Sequence, residues 1–242
     1  MYFLKQKGQD IPIKIGGVLS KAGASSIIYH LEDNDDLVYK EYNEIKEAQD
    51  QIHKLKYFIR NPPTQELEPI NHLNKTYYQL SWPSEIVYKD REPSGFLMPK
   101  IEMSNAISID KVFSSKNRKK HGFTEDIKWR VMLARNLANV FSELHKNKYL
   151  VVDTKPANIF TYKSVPAVCI LDCDSFRYGK DYSSLYITDE YIAPETDPED
   201  PKSVKEIQDV FALSVLVFQL LNNGIHPFQG INKTNNDFHI QE

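Results

Sequence analysis

The sequence predicts an α+β protein with two unlike lobes. The N-terminal third is rich in short runs of β-branched, aromatic and aliphatic residues, which are typical of a sheet, whereas the second half shows helical periodicity. A length of 242 residues is sufficient for one large domain or for two small lobes with a sizeable core. We expect a small antiparallel-sheet lobe with one helix over residues 1–101 and a mostly helical large lobe over residues 102–242. A cleft at their boundary is the expected ligand site.

The predicted small lobe consists of about five strands and one helix. The helix is expected from about Asn43 to Ile59, because apolar residues recur there at helical spacing, and Asn61-Pro62-Pro63 ends it. An acidic run, Glu32 to Asp36, separates two strands and is interpreted as a solvated hairpin tip. The strand-like runs are Ile11 to Leu19, Ser26 to Leu31, Leu37 to Tyr42, Glu85 to Tyr88 and Gly95 to Ile101.

Two long helices dominate the predicted large lobe. Thr124 is the expected N-cap of the first, with two carboxylates in a first turn where they favour the helix dipole. A capping box from Ser203 to Glu206 opens the second helix, which is apolar nearly all round from Val210 to Leu221 and is therefore expected at the centre of the lobe. The packed face of the first helix is expected to carry Ile127, Val131, Ala134, Ala138, Phe141 and His145.

Composition and charge exclude several classes of protein. A formal net charge of −3 gives no global attraction to nucleic acid or to anionic membranes. The longest apolar run, Val210 to Leu221, is too short to span a bilayer, and the N-terminus has no signal-peptide apolar region. Cys169 and Cys173 lie too close together in one short strand for a disulfide of normal geometry. We therefore expect a cytoplasmic protein with no nucleic-acid or membrane partner, and no pattern points to an oligomeric state.

The strongest signal for chemistry is the run Val151-Val-Asp-Thr-Lys-Pro-Ala-Asn-Ile-Phe160, followed by Ile170-Leu-Asp-Cys-Asp174. Transfer of a phosphoryl group to a hydroxyl requires a carboxylate that orients the alcohol and accepts its proton. It also requires oxygen ligands for Mg²⁺ and a cation for the charge on the transferring group. Asp153 is the predicted base, Asn158 and Asp172 are the predicted metal ligands, and Lys155 is the predicted cation.

This loop resembles the catalytic loop of eukaryotic-type Ser/Thr protein kinases, and the likeness runs from about Leu19 to Phe228. Still more similar are bacterial kinase-like proteins with a Trp-Pro pair, a Gly-Phe-x-Met-Pro hinge and an Arg-Asn-Leu-Ala segment, which here are Trp82-Pro83, Gly95 to Pro99 and Arg135 to Ala138. Segments in the order and spacing of the family imply a bilobal protein-kinase-like fold. Besides the loop they are Leu37-Val-Tyr-Lys40, Gly95-Phe-Leu-Met-Pro-Lys-Ile101, Thr188-Asp-Glu-Tyr-Ile-Ala-Pro-Glu195 and Asp209-Val-Phe-Ala-Leu-Ser with Asn-Gly-Ile-His-Pro-Phe228.

The resemblance implies that the chain binds ATP with Mg²⁺ and phosphorylates a protein substrate. Lys40 would contact the α- and β-phosphates, while the carbonyl of Pro99 and the N–H of Ile101 would bind adenine. Lys155 and Thr188 match the branch of the family that phosphorylates serine and threonine. The adenine slot would be formed by Leu19, Ile27 and Val38 above and Phe160 below, with Met98 as gatekeeper.

Departures from the family pattern occur in the phosphate loop, the metal motif and the helix. The loop aligns with Ser20-Lys-Ala-Gly-Ala-Ser25, which keeps only small side chains and Gly23. The metal motif reads Asp172-Cys-Asp174, so either aspartate could hold Mg²⁺, and Asp172 is favoured because the apolar pair Ile170-Leu171 directly precedes it. Glu47 is chosen as the helix partner of Lys40 by its chemistry alone. Val152 stands where the family has an arginine that clamps a phosphorylated activation segment.

Three functions stay open, with an active Ser/Thr protein kinase as the favoured interpretation. A nucleotide-binding pseudokinase gains support from the altered glycine loop, although the lysine, the base and the metal ligands are all present. A small-molecule phosphotransferase would share the D-x-x-x-x-N loop but is disfavoured by Ala193-Pro-Glu195. We also expect the large lobe to be incomplete, because the family continues through further helices after the segment ending in Phe228 and supplies an arginine partner for Glu195.

Overall fold

The structure is a computed structural model that describes residues 1–22, 25–63, 67–179, 187–231 and 238–240. The chain divides into two compact units. The first comprises Met1–Pro63, Leu80–Glu102 and Asp172–Asp174, and the second comprises Thr64–Gln79, Met103–Leu171 and Ser175–Glu242. None of the helices in the described ranges has the length and apolar character that a membrane span requires.

The described elements confirm the predicted α+β class. The helices are α1 (Ile45–Arg60), α2 (Ser115–His121), α3 (Ile127–Lys146) and α4 (Glu206–Leu221). The strands are β1 (Tyr2–Gln6), β2 (Gln9–Pro12), β3 (Ile15–Ala22), β4 (Ser26–Leu31), β5 (Leu37–Tyr42), β6 (Ile70–His72), β7 (Lys75–Tyr77), β8 (Glu85–Lys89), β9 (Glu92–Pro99), β10 (Ala106–Ser108), β11 (Tyr149–Leu150), β12 (Ile159–Tyr162), β13 (Val168–Ile170), β14 (Arg177–Tyr178), β15 (Gln229–Ile231) and β16 (Phe238–Ile240).

The first unit contains a seven-stranded antiparallel sheet with strand order β2-β1-β8-β9-β5-β4-β3. The expectation of about five strands was too low, because β1 and β2 form an additional hairpin at the N-terminus. Its two loop residues, Lys7 and Gly8, have φ values of 47° and 81°, as a two-residue hairpin turn of the I′ class requires. The predicted run from Ile11 to Leu19 is accordingly divided between β2 and β3.

Strand β5 separates two apolar layers in the first unit. Its side chains alternate between faces, as in any strand. Val38 and Tyr42 pack with Ala48 and Leu55 of α1, whereas Tyr39 packs on the opposite face with Leu97. Lys40 lies between Val38 and Tyr42 in this alternation, so it points to the face of the sheet that α1 covers.

The second unit is built around α3 and α4, which pack against each other, with small sheets at its edges. Strands β10, β12 and β13 form one antiparallel sheet, and β11 pairs with β14. Helix α3 differs from expectation at its start, because Asp126 is its N-cap and accepts a hydrogen bond from the Lys128 N–H. Thr124 instead accepts from the Asp126 N–H.

The buried face of α3 is also rotated from the predicted one. Of the six residues expected to pack, Ile127 and Val131 are about half exposed, at 48% and 51%, and Ala138 is exposed as well. The rotation allows Arg130 to reach the carbonyl oxygen of Leu221 at the end of α4, at 2.9 Å. The residues that α3 buries are Arg130, Leu133, Ala134, Leu137, Val140, Phe141 and Leu144.

Helix α4 begins as predicted near Glu206, but the expected capping box is absent. Lys205 is the N-cap residue and makes no side-chain cap, because Ser203 donates to backbone carbonyls of the preceding turn instead. The apolar surface of α4 is only partly covered in the described residues, since Ile207, Val210 and Phe218 are each more than 40% exposed. The buried side is Gln208, Asp209, Ala212, Val215, Leu216, Gln219 and Leu220.

Two smaller expectations concern single side chains. Both cysteines are buried as thiols, in agreement with the prediction that they form no disulfide. Glu195 is exposed to solvent, so it is not the buried carboxylate that the family resemblance implied. Water can solvate its charge at that position, and an arginine partner is not required for that purpose.

Candidate active site

In the first unit, Lys40 is held by the aspartates of the metal motif. Its ammonium contacts Asp172 Oδ1 and lies 2.7 Å from Asp174 Oδ1. The hydroxyl of Tyr42 donates to the other oxygen of Asp174 at 2.8 Å. The cluster follows from the strand, because Lys40 and Tyr42 are two residues apart on β5 and point the same way.

Electrostatics stabilises the charged forms in this cluster. Burial alone lowers the pKa of Lys40, but the charges of Asp174 and Asp172 outweigh it, so the pKa lies above its usual value. Burial likewise raises the pKa of Asp174, and Lys40 together with the Tyr42 hydroxyl brings it below the ordinary value. Burial and the neighbouring Asp174 raise the pKa of Tyr42, so its hydroxyl remains a hydrogen-bond donor.

The predicted pairing of Lys40 with Glu47 is not formed. The ion pairs of Lys40 among the described residues go to Asp172 and Asp174, while Glu47 is only half-buried near the start of α1. The buried face of α1 instead carries a cation, Lys54, which is 4% exposed. Its ammonium lies 5.5 Å from the centre of the Phe58 ring. Burial lowers the pKa of Lys54 to about 8, although Asp174 and Asp172 oppose that shift.

The apolar residues predicted to contact adenine are distributed over both units. Val38 and Met98 lie opposite each other on β5 and β9 and are both buried. Ile101 is buried, Pro99 and Ile27 are half-buried, and Leu19 and Ser20 are exposed on β3. Phe160 belongs to the second unit, where it is half-buried on β12. Gly23 lies outside the described residues.

In the second unit, Asp209 of α4 fixes the backbone that leads into the predicted catalytic loop. Its two carboxylate oxygens accept from the N–H groups of Val151 and Val152, at 2.7 and 2.8 Å. His145 Nε2 contacts the same carboxylate at 2.9 Å. Val152 has φ of 67°, which is unfavourable for a β-branched residue, so these bonds hold a strained position. The Val152 side chain is fully buried against Ile187 and Val204.

The predicted base, cation and substrate-segment threonine come together in this unit. Asp153 is buried, and its Oδ1 accepts from the Thr188 hydroxyl at 2.8 Å and from the Thr188 N–H at 3.1 Å. The ammonium of Lys155 contacts the other oxygen, Oδ2. One carboxylate therefore receives donors from both its own loop and the segment that ends in Ala193-Pro-Glu195.

Asn158 forms hydrogen bonds at the end of the same loop. Its side-chain amide donates to the carbonyl of Asp153 at 3.4 Å, which leaves the amide oxygen as an available acceptor. Its own carbonyl accepts from the N–H of Leu171 at 2.8 Å, so the loop is bonded to the residue that directly precedes the metal motif.

A groove of about 830 Å³ borders the Asp153 cluster in the second unit. Lys155 and Thr188, the two donors to Asp153, both line it. The other walls come from the segment after β10, from the residues that follow Thr188, and from the end of α4 and the residues after it. They include Asp110, Tyr191, Gln219 and His226. An extended segment with a side-chain hydroxyl could therefore approach Asp153 from this side.

Two residues of the site were missed at the level of sequence. Tyr42 could have been found, because the strict alternation of a strand puts it on the same face as Lys40. Lys54 was obscured by the apolar stripe that predicted α1, which suggested a buried face rotated away from it. Asp209 was recognised as part of a helix motif, but no sequence pattern indicates that its carboxylate binds two loop amides.

A sheet unit with a buried lysine against two aspartates and a helical unit with an Asp-x-Lys-x-x-Asn loop define the protein kinase class. The family model described as protein kinase domain matches residues 92–242. The chain therefore belongs to the protein kinase domain family.

Curated relatives and a solved structure agree with this assignment. Protein kinase YegI of Escherichia coli strain K12 is 27% identical over 228 residues, covering 90% of this chain and 32% of the relative. Protein kinase YegI of Escherichia coli O157:H7 is 26% identical over 163 residues, covering 63% of this chain and 24% of the relative. The chain thus spans a third or less of the length of these relatives. The ROP18 kinase domain in complex with AMP-PNP and sucrose has the same fold, with a TM-score of 0.62 at 16% identity, covering 90% of this chain and 66% of that one.

Proposed function

We propose that the chain transfers the γ-phosphate of Mg-ATP to serine or threonine hydroxyls of a protein. The observation that carries the proposal is the Asp153 cluster, in which one buried carboxylate receives Lys155 and Thr188. A general base must lie within hydrogen-bond reach of the hydroxyl it deprotonates, and a donor such as Thr188 already occupies such a position. Membership of the protein kinase family supports the phosphotransfer part of the proposal. Lys155 and Thr188 support the preference for serine and threonine.

The residues of each unit have the chemistry that Mg-ATP requires. Magnesium prefers oxygen ligands and is usually held by one or two carboxylates together with phosphates. The carboxylate of Asp172, whose side chain is 43% exposed, and the amide oxygen of Asn158 are ligands of this kind. The described residues contain no cluster of three or more His, Cys, Asp or Glu side chains that would hold a metal alone. Metal binding shared with a nucleotide suits this donor set, and the solved relative in complex with AMP-PNP supports a nucleotide ligand.

When bound, Mg-ATP supplies the phosphoryl group, and the metal neutralises charge on the phosphates. Lys40 contributes a fixed positive charge for the α- and β-phosphates, since its ammonium stays protonated. Asp153 orients the acceptor hydroxyl and takes its proton. Lys155, already at the same carboxylate, provides a cation for the charge on the transferring group. Asp209 keeps the loop in its strained conformation, so that Asp153 needs little reorganisation.

The groove beside Asp153 is the place where a protein acceptor would lie under this proposal. It is open to solvent and about 830 Å³ in volume. The groove is lined by charged groups of both signs. The acidic ones are Asp110 and Glu190, and the basic ones are Lys111 and Lys155. The division into lobes at residue 101 and a cytoplasmic location stay predictions.

The test is incubation of the purified chain with Mg²⁺, γ-labelled ATP and a generic basic protein substrate. We expect labelled protein that yields phosphoserine and phosphothreonine after acid hydrolysis. Mainly phosphotyrosine would refute the substrate assignment. Nucleotide binding without any transfer would instead assign the chain to the nucleotide-binding pseudokinases.

A further inference from the structure

The two aspartates around Lys40 are not equivalent. The side chain of Asp172 is 43% exposed, whereas that of Asp174 is 9% exposed. A ligand that arrives from solvent can therefore reach Asp172 directly. Asp174 is more deeply buried and lies against Lys40 and Tyr42 of β5.

Both oxygens of Asp174 are engaged by side chains of one strand. Oδ1 lies 2.7 Å from the ammonium of Lys40, and Oδ2 accepts from the Tyr42 hydroxyl at 2.8 Å. Tyr42 is itself fixed, since it is buried and its ring packs against Phe96 with centroids 6.1 Å apart. A carboxylate held in this way has its position set by the sheet and has few acceptor sites left for a metal ion.

Helix α1 does not supply an anion for Lys40. Its buried face presents Lys54, a second cation in the same electrostatic neighbourhood as Lys40 and Asp174. The nearest acidic residue on that helix with an effect on the cluster, Glu47, makes no ion pair with Lys40 in the described residues. A buried lysine needs a carboxylate partner, and among the residues that the structure describes the carboxylate buried with Lys40 is that of Asp174 in the metal motif.

We propose that Asp174 is the positioning carboxylate of Lys40, in the place that the sequence analysis gave to a helix glutamate, and that metal binding in this motif is left to Asp172. The inference rests on the proposed function for the role of Lys40 toward phosphates. The lysine site is then completed by β5 and the metal motif alone.

A double-mutant cycle on the metal-free, nucleotide-free protein tests the pair directly, with Lys40→Met, Asp174→Asn and the double variant. We expect Asp174→Asn to lower Tm by about 5 °C or more, because it leaves a buried ammonium with one carboxylate fewer. The loss in the double variant should be clearly smaller than the sum of the single losses. The same cycle with Glu47→Gln should be additive, and Asp50→Asn on the exposed face of α1 should leave Tm unchanged. Additive losses for Lys40 and Asp174 would overturn the proposal.

A second measurement separates positioning from metal binding. The thermal shift caused by a non-hydrolysable ATP analogue is recorded across a Mg²⁺ titration. We expect Asp172→Asn to move the Mg²⁺ midpoint by tenfold or more, and Asp174→Asn to move it by less than twofold. The reverse pattern would identify Asp174 as the metal ligand and refute the proposal. A wild-type protein that shows no nucleotide effect would contradict the proposed function, while the metal-free cycle would still decide the Lys40 pair.

Tyr42→Phe provides a milder variant in case Asp174→Asn does not fold. It removes only the hydroxyl that holds Oδ2 and keeps the packed ring. We expect a Tm loss of about 2 °C or more without a shift of the Mg²⁺ midpoint. No change in Tm would contradict the assignment of Tyr42 and Asp174 to one positioning unit.

Discussion

The backbone of Gly95 lies directly against the carbonyl group of Lys40. A Cβ atom at Gly95 would be 1.9 Å from the Lys40 oxygen and 2.9 Å from its carbonyl carbon, distances at which the strands must move apart. The two residues are neighbours across β5 and β9, where Lys40 pairs with Phe96 and Glu41 with Gly95. The lack of a side chain at Gly95 thus allows the Lys40 backbone to lie where it does.

Gly95→Ala should therefore destabilise the first unit and disturb Lys40. Backbone atoms cannot rotate away as a flexible side chain can, so we expect a loss of about 1–3 kcal/mol in the free energy of unfolding. Urea unfolding measures this loss. Gly17→Ala is the matched control, because nothing lies within 4 Å of a Cβ there. Equal effects of the two substitutions would show that the close approach to Lys40 has no energetic consequence.

Asp209→Asn should loosen the predicted catalytic loop. One of the two oxygens that accept from Val151 and Val152 would be replaced by an NH₂ group, which cannot accept and would leave a buried N–H unpaired. We expect a loss of about 1–3 kcal/mol in the free energy of unfolding. Hydrogen exchange of the Val151 and Val152 amides should become faster. The control is Glu206→Gln, at an exposed carboxylate that also contacts His145, and it should change the free energy of unfolding and the exchange rates only slightly. Unchanged, slow exchange of the two amides in Asp209→Asn would contradict the role of Asp209 in holding the loop.

Much of the fold follows from local patterns in the sequence, and the misses have physical causes. The period-2 runs located β4, β5, β8 and β9, and helical spacing with the following prolines located α1 within a few residues. The β1–β2 hairpin was missed because its turn, Lys7-Gly8, carries only one glycine as a signal. The α3 face was mispredicted because a charged residue, Arg130, is buried by a specific contact with the end of α4 that no periodicity encodes.

In the candidate site too, contacts within motifs could be predicted from the sequence, whereas a contact between distant segments could not. Asp153, Lys155 and Thr188 could be named from motif spacing, and the structure brings them together. The ion-pair partners of Lys40 could not be predicted, because Asp172 and Asp174 lie 132 and 134 positions away in the sequence. Pairing over such a distance depends on how the chain folds rather than on local sequence.

Lys54 should make stability depend on pH. Its pKa is about 8 in the folded protein against 10.5 for the ordinary group, so between these values the unfolded chain binds more protons and stability from this group rises with pH. Below about pH 8 the folded protein bears the full cost of the buried charge. Lys54→Met removes that cost and should be more stable at pH 7 by on the order of 1–3 kcal/mol.

The difference between Lys54→Met and wild type should then shrink as pH rises from 8 toward 10.5. Urea unfolding at a series of pH values measures it. Lys56→Met, at an exposed position on the same helix, should give a difference that is constant with pH. A constant difference for Lys54→Met as well would contradict the lowered pKa.

Activity should not depend on phosphorylation of the segment before Thr188. Val152, where an arginine clamp would stand, is buried against Ile187 and Val204, and these apolar contacts hold the end of the segment. Arg177 donates to the carbonyls of Pro201 and Val204 and is engaged in the backbone of its own unit. Phosphatase-treated protein should keep its initial rate within twofold.

Two variants make this prediction sharper. The combined change Ser183→Ala and Ser184→Ala, at positions outside the described residues, should be nearly silent. Ile187→Ala should lower the rate, because it removes the apolar contact beside Thr188. A tenfold loss after phosphatase treatment, about 1.4 kcal/mol in the barrier, would show that another cation clamps a phosphate.

The most direct test of the account is the rate of phosphoryl transfer to protein by Asp153→Asn, measured beside its affinity for the nucleotide. Asp189→Asn, the same change at an exposed neighbouring position, is the matched control. We expect transfer by Asp153→Asn to fall by about 10²–10⁴-fold, as loss of a general base predicts, with nucleotide affinity unchanged and the control fully active. Full transfer activity in Asp153→Asn would contradict the assignment of Asp153 as the base and with it the proposed mechanism.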